Sequence, residues 1–378
     1  MTNKFYEQTI LPRLCFVPYF VARIILFVVS AVYWFTGSRR ICVEDSHLCI
    51  EAGVRGWESI EFKELYQSAC EYLPPANVHR LIVQPDQSYL KQIADMLRSE
   101  QITHYLYDPR TNNSELLLWR ALWQSFRVAI LLQKRGVIPI VVLTDLAVRT
   151  WRAQAAVVSA RRGLVNCFMS PRHVGPIFPH CRLLGPSLMP FSVQTLQKLN
   201  GLIARRLKNN PPTALFAGSL YEPRTTKLEQ IRAGLAARGF VFNIKGRAMG
   251  SARVSDQEYW DRLCYSDIIV TTADQAIEIG RDWNHISHFL YRYLEVLACG
   301  VLLVAQDVPS VRRYFTPGIH FVSFDSPAEA IDVISHYLDN EEERLLIARQ
   351  GKKRAEALIM ARSFWIQIDS GLGDNSLI

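Results

Sequence analysis

The chain has 378 residues, 49% hydrophobic and 21% charged, a length that suggests two domains. That much apolar surface offsets the entropy of folding and excludes disorder and coiled coil, while scattered glycines and prolines exclude collagen-like and low-complexity sequence. Of the net charge of +8, half lies in residues 1–40, where Lys4, Arg13, Arg23, Arg39 and Arg40 face one acid, Glu7. The remaining charge is spread evenly, without a basic block interleaved with aromatics, so nucleic acid is not an expected partner.

Leu14 to Phe35, LCFVPYFVARIILFVVSAVYWF, is a run of 22 residues with Arg13 before it and Arg39-Arg40 after it. A bilayer core needs about 20 apolar residues. Pro18 breaks the first part, however, and Arg23 near the middle costs about 2.5–3.5 kcal/mol. The uninterrupted part, Ile24 to Phe35, ends in Tyr33 and Trp34, rings that prefer the membrane interface. We read residues 14–35 as a membrane anchor, whether an interfacial or re-entrant helix or one strained span. Its basic flanks favour anionic lipid and a cytoplasmic-face location. A buried core helix is the alternative.

From residue 76 strand and helix patterns alternate. His79–Val83 reads as a strand, Tyr89–Ser99 as a helix, Thr103–Tyr107 as a strand and Leu116–Lys134 as a helix. Val137–Leu143 reads as a strand buried on both faces, with Pro139 near where its pairing begins. Trp151–Ala160 follows as a helix and Leu164–Met169 as a strand. Pro171, Pro176, Pro179, Pro186 and Pro190 then predict a break in regular structure. Val193–Leu207 reads as a basic amphipathic helix, and Lys208–Pro212 as a linker.

The alternation restarts after it. Strands are expected at Ala214–Ala217, Phe240–Ile244, Ile268–Val270, Val301–Ala305 and Phe321–Phe324. Helices are expected at Thr226–Arg238, Asp256–Cys264, Ser287–Ala298, Pro327–Leu338 and Glu341–Ala361. This pattern predicts an α/β protein with two Rossmann-like, doubly wound domains facing a cleft. The expected divisions are a membrane anchor at 1–40, an amino-terminal domain at 41–210 and a carboxyl-terminal domain at 211–378. The eight cysteines show no Cys-x-x-Cys and no clustering, so neither a disulfide framework nor a metal site is expected.

The most informative stretch is Arg292-Tyr-Leu-Glu295-Val-Leu-Ala-Cys-Gly300, followed by the Pro317-Gly318 turn and a helix containing Ala348-Arg-Gln-Gly351. It resembles the carboxyl-terminal domain of GT-B glycosyltransferases of the group 1 type and their CgeB-like relatives. The likeness covers roughly residues 213–365 well and 76–210 in outline. From the residues themselves, a helix at Ser287–Ala298 would offer unpaired N–H groups to a diphosphate. Glu295 on it would accept two ribose hydroxyls; a Glu295–Arg292 surface pair is the alternative.

The resemblance implies further roles. The family's first acid falls at Ser287, a departure, which leaves Arg281, Asp282, Asn284, His285 and His288 as candidates for sugar and phosphate contacts. The family's turn after the first strand carries an Arg and a Lys for the diphosphate. Here Ser219 replaces the Arg and Arg224 stands at the Lys position, while Gly218 permits close approach and Lys227 is a possible substitute cation. In the amino-terminal half, Thr144-Asp145 matches a strand end where the family often has His-Asp, and Arg172 and His173 are similarly placed. The expected site is therefore Asp145 and His285 in catalysis, with Gly218, Ser219, Arg224, Ser287, His288, Arg292 and Glu295 on the donor.

The function this implies is transfer of a sugar from a nucleotide diphosphate donor to a lipid-linked or surface-polysaccharide acceptor. No cofactor is expected, the nucleotide sugar being a substrate, and no Asp-x-Asp metal motif is present. A catalytically weak nucleotide-sugar-binding scaffold is the alternative from another class; a sugar-nucleotide epimerase is a third. No Gly-x-Gly-x-x-Gly follows a strand, which disfavours a dehydrogenase.

Overall fold

The computed structural model describes residues 45–51, 58–84, 86–108, 118–143, 162–166, 182–248, 254–273, 290–308 and 311–373. These fall into two compact units, one taking the described residues up to Pro190 together with those from Ala361 onward, the other those from Phe191 to Met360. The expected membrane segment, residues 14–35, lies outside the described residues. Among the described residues no helix is long and apolar enough to cross a membrane.

The first unit is a six-stranded parallel sheet in the order β2-β1-β3-β4-β5-β6. Its strands are β1 (Leu48–Glu51), β2 (Val78–Leu81), β3 (His104–Tyr107), β4 (Ile138–Leu143), β5 (Arg162–Asn166) and β6 (Arg182–Ser187). Helices α1 (Ile60–Tyr72), α2 (Tyr89–Ser99) and α3 (Leu118–Lys134) connect the early strands. Strand β1, unassigned in the sequence, lies one in from the edge, between β2 and β3. All four of its residues are buried, so it carries no polar alternation by which to recognise it. Pro139 sits as expected: Ile138 N donates to Thr103 O across to β3 (2.9 Å), and pairing with β5 starts only at Val141. The missing N–H of Pro139 therefore costs no ladder bond.

The proline-rich stretch is not wholly irregular, as had been expected, because it contains β6. Two features allow this. β6 is an edge strand, and its register with β5 shifts between the Leu164↔Leu184 and Asn166↔Ser187 pairs, so Gly185 and Pro186 fall in a bulge.

The expected single helix Glu341–Ala361 is two, α9 (Glu341–Leu358) and α10 (Ala361–Gly373). They separate at Ile359–Met360, where Phe191 N donates to Ile359 O (3.0 Å). Helix α10 belongs to the first unit, where fully buried Trp365 donates from Nε1 to Ser68 Oγ on α1 (3.1 Å) and stacks on Tyr72.

The second unit is a five-stranded parallel sheet in the order β11-β10-β9-β7-β8. The strands are β7 (Ala214–Leu220), β8 (Phe242–Ala248), β9 (Ile268–Thr271), β10 (Leu302–Gln306) and β11 (Val322–Phe324). The helices are α4 (Val193–Ala204), α5 (Arg224–Ala237), α6 (Asp256–Cys264), α7 (Tyr291–Ala298), α8 (Pro327–Asp339) and α9. The expected linker at 208–212 is tied to this unit, with Asn209 Nδ2 donating to Tyr265 O (2.9 Å) and Asp267 Oδ2 (2.8 Å). Its core packs Phe216, Val270 and Val304, all on one face of the sheet, against Leu228 and Ile231 of α5 and Ile334 of α8.

Two glycines of the motif region have backbone reasons. Gly300 ends α7 at φ +61°, and a Cβ on Gly351 would stand 2.3 Å from His320 O, so only glycine lets α9 approach there. Trp365→Ala should destabilise the first unit by about 3–5 kcal/mol, the usual range for emptying a large aromatic site. A urea melt of the full chain, with a transition at lower denaturant, checks this.

Candidate functional site

In a parallel sheet, ligands gather outside the carboxyl ends of the strands where the winding reverses. In the second unit that point lies between β7 and β9. These strands pair only at Ala214↔Ile268 and Leu215↔Ile269, while β7 stays paired with β8 as far as Leu220↔Ala248. β7 and β9 are thus joined only at their beginnings.

Arg224, buried to 6% exposure, bridges their far ends. Its Nε donates to Thr272 Oγ1 (2.9 Å), its Nη2 to Thr272 O (3.0 Å) and its Nη1 to Ser219 O (3.1 Å). The guanidinium also lies 4.2 Å from the Tyr221 ring centroid. Arg224 is the first residue of α5, two residues before the expected helix start. Expected to grip a diphosphate, it donates from all three nitrogens to protein atoms. A planar fork can satisfy two strand ends together; an ammonium is a point charge and cannot.

Gly218 and Ser219 lie inside β7, paired with Gly246 and Arg247, rather than in a turn after it. What comes close to Gly218 is a cation. A Cβ built there would stand 3.3 Å from Arg292 Nη1 and 3.1 Å from Phe216 Cζ. Gly218, Ser219 and Arg292 are therefore gathered at one strand end.

Arg292 comes from α7. This helix starts at Tyr291, after an extended Leu290 (φ −75°, ψ 146°), not at Ser287 as expected. Glu295 is accordingly about one turn in, not two. Every α7 residue except Arg292 is buried. Glu295 is 4% exposed and accepts at Oε2 from Arg292 Nε (3.1 Å) and Tyr259 Oη (2.5 Å). The i, i+3 pair thus forms, but in the interior rather than on the surface.

Tyr259, which the sequence reading passed over, reaches in from α6. The Arg292 guanidinium lies 5.1 Å from its ring centroid. Burial pushes the Tyr259 phenol well above its ordinary value, against the pull of Arg292 and with the push of Glu295, so it remains a proton donor. Burial works against the Arg292 charge, but the Glu295 carboxylate it donates to outweighs this and holds its pKa above the usual arginine value. The cluster therefore presents a charged arginine beside Gly218 and a carboxyl held by two donors.

Lys227, the possible substitute cation, lies in the first turn of α5. Asp145, His285, Ser287 and His288, together with Thr144, Arg172, His173, Arg281, Asp282 and Asn284, lie outside the described residues. Among the described residues, no group of three or more His, Cys, Asp and Glu side chains is arranged to hold a metal ion. In the first unit the reversal lies between β1 and β3. There fully buried Glu51 accepts at Oε2 from Tyr89 Oη (2.8 Å) and Tyr105 Oη (2.6 Å), a cluster the sequence reading also missed.

Residues 224–363, which make up most of the second unit, match the glycosyl transferase-like family. No curated protein matches the sequence. Among solved structures, Anabaena Alr3699/HepE in complex with UDP and glucose is similar at 11% identity, over 86% of this chain and 99% of its own, with a TM-score of 0.55. The same protein in complex with UDP-glucose gives 10% identity over the same shares and a TM-score of 0.54. Sucrose-phosphate synthase from Thermosynechococcus elongatus is similar at 11% identity, over 86% and 98%, with a TM-score of 0.55. At such identity the likeness shows the fold, two Rossmann-like units of GT-B type, as expected.

Arg224→Lys should cost about 2–3 kcal/mol, because the buried acceptors on Ser219 and Thr272 can no longer share one donor. Chemical denaturation should show the loss, and lowering the temperature should restore folded protein.

Proposed function

We propose that this chain is a glycosyltransferase that moves a sugar from a nucleoside diphosphate donor to a lipid-linked or surface-polysaccharide acceptor. The observation that carries the reading is the Glu295–Arg292 pair, itself within the segment matching the glycosyl transferase-like family, standing beside Gly218 at the carboxyl end of β7. Support for a uridine donor comes from the similar Anabaena protein, which is in complex with UDP and with UDP-glucose.

In this reading the Glu295 carboxylate accepts the ribose hydroxyls. Arg292 faces the diphosphate across Gly218 and Ser219, standing in for the arginine that Ser219 replaces. Arg224 keeps the two strand ends in place. Ser287 and His288 complete the donor contacts, while His285 and Asp145 act near the transferred sugar. The departing diphosphate gains charge as the glycosidic bond breaks, and a preorganised arginine stabilises that charge without reorganisation. Orientation of donor and acceptor supplies the rest. These protein groups, rather than a resident cofactor, carry the reaction. Residues 14–35 hold the enzyme at the cytoplasmic face of a membrane, near a lipid-linked acceptor.

Thermal-shift screening tests the donor class, since a ligand at a hundred times its Kd stabilises by about 2.7 kcal/mol. UDP-sugars should raise the melting temperature of the full chain. Sugar should then pass to a membrane-extract acceptor, whereas binding without transfer would favour the scaffold alternative. Glu295→Ala should raise the donor KM at least tenfold, a loss of about 1.4 kcal/mol or more, readable in steady-state kinetics. An unchanged KM would remove Glu295 from the site.

A further inference from the structure

We propose that Tyr259 is a positioning residue of the donor site, aligning the Glu295 carboxylate and the Arg292 guanidinium together. The inference rests on the donor reading above and adds a residue from a different helix, α6.

Its geometry is specific. The Tyr259 hydroxyl donates to Glu295 Oε2 at 2.5 Å, the same oxygen that receives Arg292 Nε at 3.1 Å. The face of its ring lies against the Arg292 guanidinium, 5.1 Å from the centroid, a favourable stack for a planar cation. One side chain thus restrains both the acceptor intended for ribose and the cation intended for phosphate.

The ring is itself fixed from behind. Tyr259 meets Trp260 edge to face at 5.4 Å, and Trp260 meets Phe191 edge to face at 6.2 Å. Trp260 and Phe191 are buried, while Tyr259 is half-buried. The hydroxyl therefore extends from a rigid aromatic stack onto the buried Glu295 carboxylate. A tyrosine serving packing alone needs some polar partner; this one takes the carboxylate on which the donor reading depends. Without Tyr259, Glu295 loses a restraint that comes from another helix, and a misplaced acceptor loses ribose binding disproportionately.

The test measures binding of UDP and of 2′,3′-dideoxy-UDP to the full chain by calorimetry, for the unaltered protein and for Tyr259→Phe. Phenylalanine keeps the ring and the stack and removes only the hydroxyl. The Kd for UDP should rise about tenfold, as for loss of one hydrogen bond to a charged group. The Kd for the dideoxy analogue, which lacks the hydroxyls that Glu295 would bind, should change less than about twofold by the same reasoning. A melting curve records whether Tyr259→Phe stays folded, and the double variant with Glu295→Gln should show non-additive losses on UDP. Equal penalties on both ligands would reduce Tyr259 to a packing residue and overturn the proposal, as would an unchanged Kd for UDP or additive losses. If the unaltered chain binds no UDP, the donor reading itself fails and takes this inference with it.

Discussion

A single buried guanidinium holds together the end of the second sheet where its winding reverses. Strands β7 and β9 share only two register pairs before they part, and the backbone beyond needs partners that the sheet itself does not supply. Arg224 provides them from the first position of α5, joining Ser219 O on one side to Thr272 on the other. The bridge spans 48 residues of sequence on the β9 side. At the position expected to bind phosphate, the arginine is tied to protein atoms, with carbonyl dipoles and aromatic faces about its positive charge.

With that end held, β7 can carry Gly218 and Ser219 as paired strand residues, and the cation beside them comes from elsewhere. Arg292 enters from α7, close enough to Gly218 that any side chain there would press on it. Its partner Glu295 could not sit charged at 4% exposure without donors, since a lone buried carboxylate is strongly penalised. Tyr259 and Arg292 meet that need and, in doing so, restrict both groups to one arrangement. Preorganisation of this kind suits the proposed nucleoside diphosphate site, because no binding energy is then spent on ordering side chains.

Much of the architecture was legible because it depends on local pattern. The amphipathic period placed Tyr89–Ser99 and Asp256–Cys264 at both ends correctly, and runs of β-branched and aliphatic residues located the strands of the second sheet. Strand β1 escaped because a strand buried on both faces has no alternation to read. β6 escaped because prolines that forbid a central strand are tolerated at an edge with a bulge. The start of α7 was placed too early because an apolar, aromatic run such as Phe289-Leu-Tyr-Arg-Tyr looks helical throughout, whereas Leu290 is extended.

Within the site, the resemblance to group 1 GT-B glycosyltransferases drew attention to Glu295, Arg292, Gly218 and Arg224, and the character of their side chains suggested what each could bind. The linear pattern did determine the two-unit parallel α/β design, which follows from strand and helix periods in alternation. Whether Arg224 reaches a ligand or the protein, whether the Glu295–Arg292 pair lies outside or within, and which distant tyrosine completes it were matters for the tertiary structure alone. Hydrogen-bond partners and burial are set by residues far apart in sequence. Their distances exist only once the sheet has brought them together.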